Sequence, residues 1–258
     1  MAKAKRTPST ILLTGASSGI GRQLAIEYAK RGAHVMAVAR RESELSSLCE
    51  EIKGAGGKAS FLVCDVADVN SARDVVQKAE RELGSLDMVI ANAGLGQAAH
   101  AARLSLEDVS KVIDVNVKGA FATLLAAVPI MMAQKHGHLV GVSSLAGRRA
   151  LPGGGAYCAS KAALSSFLET LRIDLAPAGI KVTDVQPGFV ATPMTKDNKH
   201  PMPFMWEAPK AARVIADRLE RAPGIIAFPW PLQFLSRLGQ LVPFPIYAAI
   251  TRSSSGNG

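Results

Sequence analysis

Short runs of valine, isoleucine, leucine and alanine recur along the chain at 10–14, 34–39, 59–65, 88–91, 138–143, 181–186 and, more weakly, 224–228. Between them lie stretches with apolar residues at helical spacing, near 19–31, 42–53, 70–83, 105–135, 157–176 and 208–220. An apolar run without polar alternation needs cover on both faces, as a strand inside a parallel sheet has. Parallel neighbours require crossovers long enough for a helix, and crossovers of one hand put helices on both faces. The pattern therefore predicts an α/β fold: a doubly wound parallel sheet of about seven strands with helices on both faces. At 258 residues, 48% hydrophobic and 20% charged, the chain has material for one such domain and its core. No internal repeat or linker divides it. The expected organisation is a flexible basic tail at 1–9, a main domain at 10–228 and an aromatic, proline-rich extension at 229–258.

The first strand runs into TGASSGIG at 14–21 and then into a helix. Glycines at 15, 19 and 21 between strand and helix let an anion approach the backbone, and the helix end supplies positive N–H groups. A tight turn needing small residues for packing would look the same. Further on, Tyr157 and Lys161 are four residues apart in AYCASKAALSSF, so they share a helix face. That spacing fits a proton-transfer pair and equally an ordinary amphipathic helix.

Other segments bear on the choice. TGASSGIG resembles the cofactor turn of the short-chain dehydrogenases/reductases. Asp65 in VCDV resembles the acid that binds the adenine amine, and ANAG at 91–94 resembles the family's NNAG, with Asn92 kept and Ala91 in place of the first asparagine. Asn116 in DVNVKGAF, the serine of VSSLAG at 142–147, Tyr157 and Lys161 of YxxxK, and PGFVATPM at 187–194 follow in family order. The resemblance spans residues 10 to about 195. It implies a single-domain Rossmann-type fold binding a nicotinamide dinucleotide through Gly15, Ser17, Ser18, Gly19, Ile20, Gly21, Asp65, Val66, Asn92, Ala93, Gly94, Tyr157, Lys161, Pro187, Gly188, Val190 and Thr192.

The second strand ends in Arg40-Arg41 rather than in an acid that would hold ribose hydroxyls. A guanidinium there pairs with a 2′-phosphate, so NADP(H) is favoured over NAD(H), with Arg40 the main contact and Arg41 supporting. A free tyrosine titrates near pH ~10, and the nearby Lys161 ammonium and an oxidised nicotinamide are both expected to lower it. By resemblance Tyr157 is the general acid/base, Lys161 also holds the nicotinamide ribose, Ser144 hydrogen-bonds the substrate oxygen, and Asn116 holds a water leading to Lys161. Strand alternation turns Ser143 the other way. The implied activity is NADPH-dependent carbonyl reduction or its reverse, alcohol oxidation. A non-catalytic NADP-binding sensor or scaffold, and an NAD-dependent dehydrogenase of the same family, are the alternatives. An epimerase or dehydratase is disfavoured because little chain remains for a larger substrate domain.

His136 and His138 lack the carboxylate or cysteine pattern of a metal site. Cys158 reads as a small packed residue, and the three cysteines as reduced thiols of a cytoplasmic protein. The basic start MAKAKRTPST shows no signal-peptide core. Net charge is +9, but the cations are scattered and not clustered with aromatics, which argues against nucleic acid. Residues 189–210, with Met194, Met202, Phe204, Met205 and Trp206, are expected to form a lid over a hydrophobic carbonyl or alcohol substrate. The family commonly forms dimers or tetramers through its central helices, so a homodimer or homotetramer is expected. Residues 228–250 carry Phe228, Trp230, Phe234, Phe244 and Tyr247, and prolines at 229, 231, 243 and 245 exclude a spanning helix. A pocket wall or a subunit interface is the preferred reading there, and a peripheral membrane contact is the third.

Overall fold

The computed structural model describes residues 8–96, 98–196, 198 and 201–254. Seven parallel strands make the main sheet: β1 (Thr10–Thr14), β2 (His34–Ala39), β3 (Lys58–Val63), β4 (Met88–Ala91), β5 (His138–Val142), β6 (Lys181–Pro187) and, after two short strands, β9 (Ile225–Phe228). Their order is β3-β2-β1-β4-β5-β6-β9. The chain thus builds outward from β1 in one direction and from β4 in the other. The crevice at such a reversal, outside the carboxyl ends of the strands, is where doubly wound sheets take ligands.

Residues of each strand alternate between two core layers, as the pleat requires. Ile11 and Leu13 pack with Leu24, Tyr28, Leu45, Leu48 and Ile215 on one face. Leu12 packs with Val75, Val76, Leu124, Leu164 and Leu168 on the other. The first face is covered by α1 (Gly19–Lys30), α2 (Glu42–Gly54) and α7 (Ala208–Leu219), and the second by α3 (Val69–Leu83), α5 (Ala120–Gln134) and α6 (Gly155–Leu175). Ile11, Leu12 and Leu13 are wholly buried, each contributing about 1.5–3 kcal/mol of apolar transfer. Helices α1 and α7 are also joined by Arg31, which binds Glu27 on its own helix and Asp217 (2.6 Å) and Glu220 (3.0 Å) beside α7.

Three expectations change. The helix expected over 105–135 is α4 (Leu106–Ile113), one turn of π-helix (Asp114–Gly119) and α5. The wider turn re-aims a side chain that a continuous α-helix would carry round. Gly119 closes the turn against Val66, where a Cβ would strike the Val66 carbonyl. Second, β3 ends at Val63; Cys64 N still bonds Ala39 O at 3.0 Å, and Asp65 has left the sheet. Third, the tail expected at 1–9 is tied down at its end, since Ser9 N donates to Asp87 Oδ2 at 2.6 Å; residues 1–7 lie outside the described residues.

The prolines of the extension divide it into two short helices, as expected of a segment that cannot span a membrane, and they do so by starting each one. Pro229 caps and Pro231 opens α8 (Trp230–Leu241), and Pro245 stands in the first turn of α9 (Phe244–Ser254). A first-turn proline gives up an N–H that has no helical partner anyway. Within the expected lid, β7 (Val190–Ala191) pairs with β8 (Trp206–Glu207), and Trp206 stacks on Phe228 with ring centroids 4.9 Å apart.

Candidate active site

A cleft of about 400 Å³ opens at the carboxyl ends of β1, β2, β4, β5 and β6. One end is the glycine turn. Gly15 has φ +68°, and a Cβ there would lie 2.7 Å from Ala93 Cα, while one on Gly21 would strike Gly15 O. These two glycines are therefore demanded by the chain's own packing. Thr14 and Asn92 lace the turn to β4: Asn92 N and Ala93 N donate to Thr14 Oγ1 (3.1 and 3.2 Å), and Asn92 Nδ2 donates to Thr14 O (3.0 Å). Thr14 was not among the expected site residues, although it is the threonine heading the glycine motif.

Helix α1 begins here with no side-chain cap bond from Ser18 and no acid in its first turn. Its positive end is thus left facing the cleft, which suits a dinucleotide pyrophosphate. Arg41 Nη2 reaches over the turn, donating to Ser17 Oγ (2.9 Å) and Ser18 Oγ (3.0 Å). Arg40 Nη1 instead pairs with Asp65 Oδ2 at 3.5 Å. Both arginines, Asp65 and Val66 line the same wall.

The far end carries Ser144, Tyr157 and Lys161. Ser144 follows β5, its Oγ donating to Pro187 O (3.3 Å) and accepting from Ala146 N (3.1 Å). Tyr157 lies in the first turn of α6, on the same cleft wall as Ser144. Lys161, one turn on and 4% exposed, donates from Nζ to Val142 O at 2.8 Å. Burial pulls the lysine down to about 8, with Asp184 pulling the other way. Burial also raises the Tyr157 phenol, with the Ser144 hydroxyl acting the other way. The expected depression of the phenol by Lys161 is not what this structure holds. The ammonium is 5.7 Å from the ring centroid and engaged with a carbonyl, so desolvation dominates.

Asn116 stands behind the cleft, wholly buried on the π-turn. Its Oδ1 accepts from Leu95 N (2.7 Å), and its Nδ2 donates to Leu95 O (2.9 Å) and Ser160 Oγ (3.0 Å). Every other expected residue, through Pro187, Gly188, Val190 and Thr192, lines the cleft, together with Leu95 and Met194. Among the described residues, none of α8 or α9 lines it, although Leu232 of α8 lies against Gly188, which does.

Sequence reasoning missed Asp184. This carboxylate is 2% exposed in mid-strand, accepting from Ser143 Oγ and from Gln186 Nε2 at 2.5 Å. Gln186 in turn accepts from Arg148 Nε at 2.7 Å. Ser143 is thus turned away from Ser144 toward a buried acid. The two histidines serve the strand starts: His138 Nε2 meets Thr183 Oγ1 (2.8 Å), and His136 Nε2 meets Asp87 Oδ1 (3.1 Å).

A family model for short chain dehydrogenases matches residues 9–203. The chain belongs to that family. As a short-chain dehydrogenase it is an NAD(P)-dependent oxidoreductase. It is 43% identical over 249 residues to an uncharacterised oxidoreductase of Myxococcus xanthus, covering 96% of this chain and 98% of that one. A 3-oxoacyl-[acyl-carrier-protein] reductase of Thermotoga maritima is 39% identical over 185 residues, covering 72% and 75%. A solved short-chain dehydrogenase/reductase from Burkholderia phymatum, in complex with NAD, shares the fold with a TM-score of 0.84 at 24% identity, over 90% of this chain and 93% of that one.

Proposed function

We propose that this short-chain dehydrogenase is a carbonyl reductase, reversible as an alcohol dehydrogenase, that prefers NADP(H) to NAD(H). The observation carrying the reading is the Ser144–Tyr157–Lys161 group at one end of a cleft whose other end is a bare helix N-terminus. The cofactor, when bound, supplies the hydride. Tyr157 Oη protonates the carbonyl oxygen as charge develops on it, or takes the alcohol proton in the reverse direction. Ser144 Oγ donates to the same oxygen, a contact that strengthens toward the transition state. Lys161, one helical turn from Tyr157, holds the nicotinamide ribose. Asn116 fixes the Leu95 backbone through both amide atoms and supports the proton route to Lys161. Gly15 to Gly21, Asp65, Val66, Asn92 to Gly94 and 187–192 enclose the dinucleotide.

The preference for NADP(H) rests on two arginines after β2, where no acid stands. Arg41 takes the leading part, because Ser17 and Ser18 already hold its guanidinium over the turn. Arg40 supports it from its pair with Asp65. Charge reversal, with Arg41→Asp and Arg40→Asp tested separately, should raise KM for NADPH at least about tenfold while leaving KM for NADH within about twofold. An unchanged ratio in both variants refutes the preference.

The substrate is an apolar ketone or alcohol admitted beside Leu95 and Met194, under a lid built on the β7–β8 pair near 189–210. In oligomeric form the chain is a homodimer or homotetramer, a reading supported by exposed Leu125, Met132 and Ile173 on the central helices. The three free, buried cysteines support a reducing, cytoplasmic setting. The catalytic reading is tested with Tyr157→Phe. NADPH oxidation across aldehydes, steroids, 3-oxoacyl thioesters and sugars should fall by at least about a thousandfold, with NADPH binding within about threefold of wild type. Retained turnover in that variant excludes Tyr157 as the acid. A wild type that binds NADPH yet turns over no carbonyl favours the sensor reading.

A further inference from the structure

Helix α8 meets the domain through Leu232, which lies against Gly188, and through a polar side. Toward the domain it presents Gln233, Ser236, Gly239 and Gln240, held by two arginines of the loop after β5. Arg148 Nη1 donates to Gln233 O (3.4 Å) and Ser236 Oγ (3.1 Å). Arg149 donates to Gly239 O (2.8 Å), Gln240 O (3.1 Å) and Val242 O (3.1 Å), the carbonyls at the negative end of the helix. Helix α9 is fastened to the same loop, Tyr247 Oη donating to Ala150 O at 2.7 Å with the Arg149 guanidinium 4.3 Å above the ring.

The opposite side of α8 is apolar and faces outward. Trp230, Phe234, Leu238 and Leu241 recur every three or four residues, so they form one stripe. They are 77, 57, 44 and 81% exposed, and Phe244 on α9 adds another ring at 72%. Contiguous apolar patches of this kind mark interaction sites. Arg237, also exposed, stands one turn from both Phe234 and Leu241. Residues 221–258 contain Arg221, Arg237 and Arg252 and no aspartate or glutamate.

We propose that α8 and α9 dock this protein onto the surface of an anionic lipid bilayer. Twelve residues make α8 about 18 Å long, too short to cross the hydrocarbon layer, so it lies in the plane of the interface. The stripe enters the acyl boundary with Trp230 at its edge, while Arg237 reaches the anionic headgroups. A second copy is the poorer occupant. Self-pairing would bring Arg237 of each copy against a surface whose own segment has no carboxylate to answer it.

The full-length protein is sedimented with phosphatidylcholine vesicles, with and without phosphatidylglycerol. Phosphatidylglycerol vesicles should carry it down, and Phe234→Glu/Leu241→Glu should weaken that association at least about tenfold. NADPH binding and melting temperature should stay at wild-type values, because both residues are exposed and remote from the cleft. Arg237→Gln, which leaves the apolar stripe whole, should reduce the preference for phosphatidylglycerol and so tests the proposal even if the double variant misfolds. Wild-type protein that pellets with neither vesicle, or equally with the double variant, overturns the proposal. So does light scattering that shows an oligomer dissolved by the double substitution while vesicles are ignored. None of these outcomes depends on which carbonyl is reduced.

Discussion

Asp184 is the residue on which the buried lysine depends. An ammonium with 4% exposure and one carbonyl partner is held near 8 by burial, and only the Asp184 charge acts to raise it. Removing that charge lowers the lysine further, so Lys161 deprotonates at lower pH. Asp184→Asn should therefore move the alkaline limb of kcat/KM for carbonyl reduction acidward by about half a unit or more, with NADPH binding retained below the limb. An unmoved limb would show that Lys161 does not set it. Asp184 was invisible in the sequence for a definable reason. It sits in the strand KVTDVQP beside Lys181, Thr183 and Gln186, where it reads as one more polar residue, and its meaning depends on Ser143, 41 positions earlier, and on Gln186 and Arg148. Tyr157, Lys161 and Ser144 were legible because their spacing is local. Arg40 and Arg41 were legible as a pair, but their division of labour was not, since Ser17, Ser18 and Asp65 come from other loops.

Elements show the same division. All seven of the main strands and most helices were readable from apolar runs, the last more weakly, because strands buried on both faces carry an unmistakable composition. The π-turn was not, since a local widening around Asn116 leaves hydrophobic periodicity nearly unchanged. Helix α8 defeated the reading more thoroughly. Its apolar stripe is where a core-facing stripe would be expected, yet it points outward, and the fastening is polar and supplied by Arg148 and Arg149. That fastening makes a prediction for the element. Arg149→Met removes three donated hydrogen bonds and the cation over Tyr247. Limited proteolysis should then cut between α8 and α9 at least about tenfold faster, while the melting temperature of the main domain shifts by only a few degrees. Equal cleavage of variant and wild type would show that apolar contacts alone hold the hairpin.

Across the whole molecule, stability and chemistry sit at opposite rims of the sheet. At the carboxyl ends lie Thr14, Arg40, Asp65, Asn92, Ser144 and Pro187; at the amino ends lie Thr10, His34, Asp87, His138 and Lys181. His138 is the most pH-sensitive member of the second rim, held neutral by burial with its titration pushed down to about 3. A depressed histidine leaves the folded chain binding fewer protons than the unfolded one, so stability is complete above about pH 6.5 and falls as pH drops toward 3, by up to about 1.4 kcal/mol per unit. His138→Leu should flatten the decline in melting temperature between pH 6.5 and 4; Thr183 Oγ1 keeps its bond to Pro223 O at 2.6 Å and is not orphaned. An equally steep decline in the variant would assign acid sensitivity elsewhere. Five-residue strands such as β1 and β5 separate the two rims by roughly 15 Å. Directed evolution of this scaffold can therefore treat robustness and turnover as separate objectives: substitutions at the amino rim harden the protein without entering the catalytic end, and the usual trade between heat tolerance and rate is relaxed by geometry.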